Sequence, residues 1–332
     1  MKGKILVTGA SGFVGSHFVE TAFKAGYEIH AAVRYSSSLD AIRPFVAKFV
    51  YLDFEDICGL TSFFAEENYT YIVHAAALTK AKTVEQMHAV NVRVSSNLIE
   101  AAFQIAVPPK RFVFISSLAA IGPVQYDDMP LTENNVYNPI TIYGKSKQAA
   151  EEMIRQRFSD QPITIIRPTA VYGPREKDLF ILFDTMNKGI DAYIGKAPQK
   201  LSFIYVKDLA NLLLNACLVS TDHVETFNAT DGKVYSRYEM ANIFKQVLSR
   251  KLVRLHLPYK MVKMLAQLCG WLYRNSKQTP VLYPERLGEL TAQSWACDIT
   301  KAKTILRFDP AYDLEAGLSE SLRWYKDNNW LK

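Results

Sequence analysis

TGASGFVG, at residues 8–15, is the stretch of this 332-residue sequence that decides the fold. It follows an apolar run at residues 4–7 and opens a helical pattern. Gly9 permits a tight turn, Gly12 lets the backbone approach a pyrophosphate, and Gly15 lets the helix pack on the strand. The N-terminus of that helix offers unpaired N–H groups and a positive dipole end to phosphates. We therefore predict a dinucleotide site contacted by Gly9, Ser11, Gly12, Phe13 and Gly15.

Apolar runs of strand length alternate with helical patterns through the first two-thirds of the chain. The predicted strands are residues 4–7, 28–33, 49–52, 71–74, 111–116 and 163–166. The predicted helices include residues 84–105 and 141–158. Parallel neighbours need crossover helices, so this alternation predicts an α/β fold with a doubly wound parallel Rossmann sheet.

The regular alternation of strand and helix patterns ends at about residue 172, after which glycine and proline interrupt irregular segments. We predict a dinucleotide-binding domain at residues 1–172, to which residues 202–228 return. A smaller, mostly helical substrate-binding domain is predicted from residues 173–201 and 229–332.

Composition indicates an ordinary folded protein, with 49% hydrophobic and 22% charged residues. The net charge of +6 is mild and no basic block is interleaved with aromatics, so we expect no nucleic-acid partner. The four cysteines are widely spaced, which predicts neither a metal site nor a disulfide framework. No run of 18 apolar residues and no signal-peptide pattern occurs, so we expect a cytoplasmic protein.

The end of the second predicted strand bears on the choice of cofactor. Arg34 lies there, nineteen residues after Gly15, where an acidic residue would bind the ribose hydroxyls of NAD. An arginine can instead hold the 2′-phosphate of NADP, so we predict NADP, with NAD as the alternative. Asp53 and Phe54 close the third strand, where the carboxylate suits the adenine amino group and the ring can flank the base.

A candidate catalytic set follows the loop in the chain. Tyr143 and Lys147 are four residues apart on one predicted helix and therefore share a face. An ammonium group near a tyrosine favours its phenolate, so Tyr143 can exchange a proton with a carbonyl or alcohol oxygen. Lys147 can also anchor the nicotinamide ribose. Ser117 follows the fifth strand and can hold the same substrate oxygen, although the sequence does not distinguish it from Ser116.

Taken together, these motifs resemble the extended short-chain dehydrogenases/reductases, the NAD-dependent epimerase/dehydratase family. The matching residues are those of the loop at 8–15, Asp53, His74-Ala75-Ala76-Ala77, Asn91, Ser116-Ser117, Tyr143, Lys147, Arg167-Pro168, the run at 171–174 and Asp208. The resemblance implies that Ala75 and Ala76 pass over the cofactor and that Pro168 and Val171 lie near the nicotinamide. It implies a structural or proton-relay role for Asn91, and a homodimer through residues 84–105 and 141–158. We expect His74 to be a packed histidine.

Two departures from the family's sugar-nucleotide enzymes favour another of its branches. Arg34 replaces their acidic residue, and Leu118, Ala119 and Ala120 follow Ser117 where the dehydratases place an acid. The pattern resembles the dihydroflavonol reductases and hydroxysteroid dehydrogenases. We therefore predict hydride transfer between NADP(H) and a ketone or secondary alcohol on an apolar, lipid-like substrate. The alternatives are a nucleotide-sugar 4-epimerase with tightly bound NAD and a non-catalytic sensor of NAD(P).

One basic segment is not explained by these motifs. Residues 250–277 contain seven Lys or Arg and no Asp or Glu. Apolar residues recur in it at helical spacing over residues 259–275. The segment predicts either an interfacial helix on the inner, anionic face of a membrane or a helix that covers the substrate pocket.

Overall fold

A computed structural model describes residues 2–81, 83–273 and 284–331. The strands in these ranges are β1 (Lys4–Thr8), β2 (Glu28–Ala32), β3 (Lys48–Val50), β4 (Tyr71–His74), β5 (Arg111–Ile115), β6 (Ile163–Pro168), β7 (Ala170–Tyr172), β8 (Ile190–Ile194), β9 (Lys200–Leu201), β10 (Phe203–Tyr205), β11 (Glu225–Ala229), β12 (Tyr235–Ser236) and β13 (Val253–Leu257). The α-helices are α1 (Phe13–Lys24), α2 (Ile57–Glu67), α3 (Val84–His88), α4 (Val94–Phe103), α5 (Ile142–Arg157), α6 (Phe180–Asn187), α7 (Val206–Leu218), α8 (Glu239–Leu248), α9 (Tyr259–Leu272), α10 (Pro284–Thr291), α11 (Thr300–Ile305) and α12 (Leu314–Asp327).

Seven strands form one parallel sheet in the order β11-β6-β5-β4-β1-β2-β3. The predicted doubly wound α/β fold is thereby confirmed. Ile5 and Val7 of β1 face one hydrophobic cluster, which contains residues of α1, α7 and α11. Leu6 faces the other cluster, which contains residues of α2, α4 and α5. The side chains on both faces of these strands are apolar, because helices cover both faces of the sheet.

Three predictions of local structure were wrong in detail. The seventh strand, β11, was not predicted, because Phe227 is its only large apolar residue. The third strand spans 48–50, not 49–52. The helix predicted at 84–105 is interrupted by a π-helical turn, Ala89–Arg93, which separates α3 from α4.

The remaining strands form three two-stranded pairs, β7 with β10, β8 with β13 and β9 with β12. A third hydrophobic cluster lies in this part of the protein and contains residues of α6, α8 and α12. Its buried members include Phe183, Phe244 and Tyr325. Asp208 of α7 accepts backbone N–H groups of Ala311 and Tyr312 at 3.1 and 2.9 Å, and so fixes the chain that leads into α12.

Candidate active site

The loop between β1 and α1 lies directly against the chain that follows β4. Gly9 has φ +65°, and a Cβ on it would lie 2.6 Å from the backbone of Ala75 and Ala76. A Cβ on Gly15 would lie 2.2 Å from the carbonyl oxygen of Gly9. Only glycine fits these close approaches. The loop therefore presents bare backbone at the N-terminus of α1, which fits the pyrophosphate of a dinucleotide.

The other predicted loop contacts lie beside this backbone. Ser11 is exposed, and Phe13 begins α1 with its ring edge-on to His17 at 5.7 Å between centroids. The backbone N–H of Ala76 donates to the Thr8 hydroxyl at 3.3 Å, which holds the Ala75-Ala76 turn against the loop. Loop, turn and helix N-terminus thus form one continuous surface.

The residues predicted to bind the adenosine half lie at the ends of adjacent strands. β2 and β3 run parallel with Ala32 opposite Val50, so Arg34 and Asp53 lie at the same sheet edge as the glycine loop. Both side chains are exposed. Phe54 is half-buried. Near Arg34, the rings of Tyr35 and Tyr51 stack at 4.3 Å, forming a flat aromatic surface.

The three predicted catalytic residues come together at the carboxyl edge of β5. Thr141 caps α5 by accepting the N–H of Gly144 at 3.0 Å, which begins the helix just before Tyr143. Tyr143 and Ser117 both line the same cavity at this edge. Lys147, one turn further along α5, is buried and donates from Nζ to the carbonyl oxygen of Ile115 at 2.8 Å.

Ser116 and Ser117 point to different partners, a distinction that the sequence left open. Ser116 Oγ donates to the carboxylate of Glu151 at 2.5 Å and is buried. Ser117 Oγ accepts the backbone N–H of Ala119 at 3.1 Å and lines the cavity together with Tyr143. Ser117 is therefore the hydroxyl that can reach a substrate oxygen.

Burial shifts both titrating groups of this set. It raises the pKa of Tyr143 to about 12, an effect that the Ser117 hydroxyl opposes and the charge of Glu289 reinforces. It lowers the pKa of Lys147 to about 8, against the opposing charge of Glu151. The Lys147 ammonium lies 6.0 Å from the centroid of the Tyr143 ring. Tyr143 alone thus holds its proton at neutral pH, and added positive charge would be needed to release it.

Behind Lys147 lies a buried ionic network that sequence reasoning missed. Arg167 of β6 donates to both carboxylate oxygens of Glu151, with Nη2 to Oε2 at 2.5 Å. The Tyr137 hydroxyl donates to Glu151 at 2.8 Å. The spacing of Glu151 from Tyr143 and Lys147, eight and four residues along one helix, was the available signal.

Asn91 and His74 have positioning contacts. Asn91, in the π-helical turn, accepts the N–H of Leu78 at 2.8 Å and donates to Leu78 O and Ser146 Oγ, each at 2.9 Å. Asn91 therefore links the segment that follows β4 to helix α5. His74 is buried between the hydroxyls of Thr8 and Ser95, at 2.6 and 2.9 Å, and burial lowers its pKa to about 3. It is a neutral, packed histidine.

A cavity of about 470 Å³ opens onto Ser117 and Tyr143. Pro168 and Val171, the residues that the family resemblance put near the nicotinamide, are part of its lining. Its apolar residues include Leu118, Ala119, Leu179, Leu182, Met186, Leu201, Phe203, Met240, Leu290 and Trp295.

Part of the cavity wall comes from far along the chain. α10 contributes Arg286, Glu289 and Leu290. Burial raises the pKa of Glu289, which sequence reasoning did not single out. Among residues 250–269 and 273, whose side chains the structure describes, none lines the cavity, so these side chains do not cover the pocket as expected. Residues 274–277 lie outside the described ranges.

Comparison with known proteins agrees with this geometry. The model of the NAD dependent epimerase/dehydratase family matches residues 5–229, and the chain belongs to that family. It is 28% identical to a UDP-glucose 4-epimerase of Vibrio cholerae, over 99% of this chain and 97% of the relative. It is 24% identical to a 3-beta-hydroxysteroid dehydrogenase of Mycolicibacterium neoaurum, over 98% of this chain and 92% of the relative.

Among solved structures, the chain is similar to a UDP-glucuronic acid 4-epimerase from Bacillus cereus in complex with NAD. The TM-score is 0.76 at 21% identity, with 98% of this chain and 99% of the other covered. The prediction of an NAD-dependent enzyme of this family is confirmed. The relatives include both sugar-nucleotide epimerases and hydroxysteroid dehydrogenases, so they do not select between the two branches.

Proposed function

We propose that the protein transfers a hydride between NADP(H) and a ketone or secondary alcohol carried on an apolar substrate. The observation that carries this proposal is the predominantly apolar cavity that opens onto Ser117 and Tyr143. A long hydrocarbon substrate would bury its chain against these walls and present its oxygen to the two hydroxyls. Apolar pockets with a few convergent polar groups are typical of such sites.

The residues divide the chemistry between them. The bound nicotinamide supplies or accepts the hydride. Ser117 and Tyr143 both line the cavity and donate to the substrate oxygen, and Tyr143 gives it a proton as a ketone is reduced. The ammonium of Lys147, beneath the Tyr143 ring, stabilises the phenolate that this leaves. Alcohol oxidation runs through the same contacts in reverse.

The charges around the cavity favour a neutral substrate. The described lining contains three cations, Lys80, Arg237 and Arg286, and three carboxylates, Glu176, Asp178 and Glu289. These charges cancel. Lys80 is paired with Asp178 at 2.6 Å, and both terminal nitrogens of Arg237 donate to backbone carbonyls. A diphosphate would require a surplus of available cations.

Arg34 supports NADP as the cofactor. Its side chain is exposed at the end of β2 and has no described ion-pair partner. The backbone N–H of Arg34 binds the Ser37 hydroxyl at 3.1 Å, which closes a turn rich in hydroxyl groups. Such a turn offers a guanidinium and serine hydroxyls to a 2′-phosphate.

A 4-epimerase acting on a nucleotide sugar is the second candidate. It is favoured by the Vibrio cholerae relative and by the Bacillus cereus structure, both named as 4-epimerases of UDP-sugars. In that case NAD would remain bound through a full cycle of oxidation and reduction. The same Ser117, Tyr143 and Lys147 would serve the proton transfers.

One set of assays separates the candidates. Purified protein is supplied with NADPH or NADH and a long-chain ketone, and separately with UDP-glucose. We expect NADPH oxidation with the ketone and no interconversion of the sugar. Tyr143→Phe should abolish the activity while Tyr126→Phe, outside the described cavity lining, should not. Conversion of UDP-glucose without added cofactor, and no ketone reduction, would replace this proposal with the epimerase.

A second assay addresses the cofactor. Arg34→Ala should weaken NADPH binding by about 10- to 150-fold, the value of a hydrogen bond to a charged group, and leave NADH binding nearly unchanged. Arg323→Ala on α12 is the matched control, since that arginine is exposed on another element. Equal weakening of both cofactors by Arg34→Ala would contradict an NADP-specific role. The homodimer stays a prediction, which light scattering of the purified chain tests.

A further inference from the structure

Helix α9 has apolar residues on two separate faces. Val262 and Ala266, one turn apart, are buried against the protein. Met261, Met264, Leu265 and Leu268 recur at i, i+3, i+4 and i+7 and share a different face, which we call the α9 stripe. All four residues of the stripe are exposed, Met264 to 62% and Leu268 to 51%. Core packing therefore accounts for one face of the helix and leaves the stripe unexplained.

The substrate cavity does not account for the stripe either. No described α9 residue lines the cavity, whereas α10, which packs on α9, contributes three residues to it. No described helix is long and apolar enough to cross a membrane, so the stripe is not part of a spanning segment. It is a contiguous apolar surface of the kind that marks an interaction site.

The surroundings of the stripe are basic. Residues 250–273 include Arg250, Lys251, Arg254, Lys260 and Lys263 and no acidic residue. Lys260 precedes Met264 by one helical turn, and Lys263 follows Lys260 by three residues. Both lysines are exposed, and neither has an ion-pair partner within the described ranges. The stripe is thus flanked along one edge by the uncompensated charge of Lys260, whereas Lys263 is three or four residues from none of its members and faces away from it.

We propose that α9 docks on an anionic lipid bilayer, with the α9 stripe in the acyl boundary and Lys260 at the headgroup phosphates. Hydrophobic insertion and attraction to anionic lipid together are what holds an amphipathic helix in a membrane interface. A second copy of this chain fits the surface less well, because a twofold contact would bring the same basic residues face to face. This inference does not depend on the proposed reaction, since it is tested without turnover.

The experiment is co-sedimentation of the full chain with phosphatidylcholine vesicles, with and without phosphatidylglycerol. We expect binding only when the anionic lipid is present, and loss of binding as salt is raised. Lys260→Gln should weaken binding by about fivefold, the value of one basic residue near an anionic surface, and Lys263→Gln, on the other side of the helix, should weaken it less. Salt-insensitive binding, or equal binding to both vesicle types, would overturn the electrostatic part of the proposal.

Met264→Glu tests the apolar part, and Met129→Glu is its matched control. Met129 is 82% exposed and lies outside α9, so both variants place the same charge at an exposed methionine. We expect Met264→Glu to abolish vesicle binding and Met129→Glu to retain it, with both variants unfolding at the wild-type temperature. Unchanged binding by Met264→Glu would refute the role of the stripe. The proposal would also be refuted if the wild-type chain bound no vesicles and instead formed a dimer that Met264→Glu dissociated. That result would assign the stripe to contact with a second copy of the chain.

Discussion

Replacing Glu151 with glutamine tests the buried network that lies behind Lys147. Glu151 is fully buried and accepts hydrogen bonds from Arg167, Ser116 and Tyr137. Glutamine has nearly the same shape but carries no charge. The substitution therefore leaves the Arg167 guanidinium, which is 1% exposed, buried without a counter-charge.

The expected cost follows from that burial. Removing one partner of a buried ion pair destabilises a protein by about 3–5 kcal/mol, because the remaining charge is unpaired in a medium of low polarity. A second effect acts on Lys147. The charge of Glu151 opposes the burial that lowers the pKa of Lys147 to about 8, so its removal lowers that pKa further. Less of the lysine then carries the ammonium charge at neutral pH.

Urea unfolding monitored by circular dichroism measures the first effect, and the pH profile of turnover measures the second. Glu152→Gln is the control, because Glu152 is adjacent on α5 and bonds only to Gln148 among described residues. We expect Glu152→Gln to change the free energy of unfolding by less than about 0.5 kcal/mol. If Glu151→Gln unfolded at the same urea concentration as Glu152→Gln, the network would not have the role assigned to it.

Three further predictions follow from the site. Reduction of a ketone should slow as pH rises above about 8, because Lys147 loses the charge that stabilises the Tyr143 phenolate; a rate constant across pH 6–10 would contradict this. Acid should destabilise the fold between pH 6.5 and about 3, because His74 takes up a proton only when unfolded, at about 1.4 kcal/mol per pH unit. His74→Asn should flatten that slope by one proton, as measured by urea unfolding at several pH values, and an unchanged slope would refute the assignment. Gly9→Ala should abolish cofactor binding measured by calorimetry, because its Cβ would overlap backbone at 2.6 Å. Gly26→Ala, also at positive φ but with nothing within 4 Å, should cost only about 1–2 kcal/mol of stability and keep the cofactor affinity.

The fold was predictable because its signals are local. The glycine spacing of residues 8–15 and the runs of apolar residues in β1, β4 and β5 indicate parallel strands covered on both faces. β11 escaped prediction because its pairing with β6, not its own composition, makes it a strand. The break at Asn91 also escaped, because a π-helical turn there depends on contacts with Leu78 and Ser146 that are distant in sequence.

The site residues also differ in how far the sequence alone could predict them. Tyr143 and Lys147 could be paired from their spacing, since a helix brings residues four apart onto one face. Ser117 could not be told from Ser116, because the choice depends on Glu151 on α5, 35 residues further along the chain. Glu289 could not be found at all, because α10 is far from Tyr143 in the sequence and reaches the cavity only in the folded chain.

By itself, the sequence determined the parallel sheet, the glycine-rich turn and the candidate proton-transfer residues, because each depends on neighbours within one turn, strand or helix. Only the tertiary structure decided which serine faces the cavity, what lines the cavity, and that the α9 stripe is left exposed. Those features depend on which surfaces of distant elements pack together. The burial of a side chain, its pKa and its hydrogen-bond partner are set by that packing and not by any single segment.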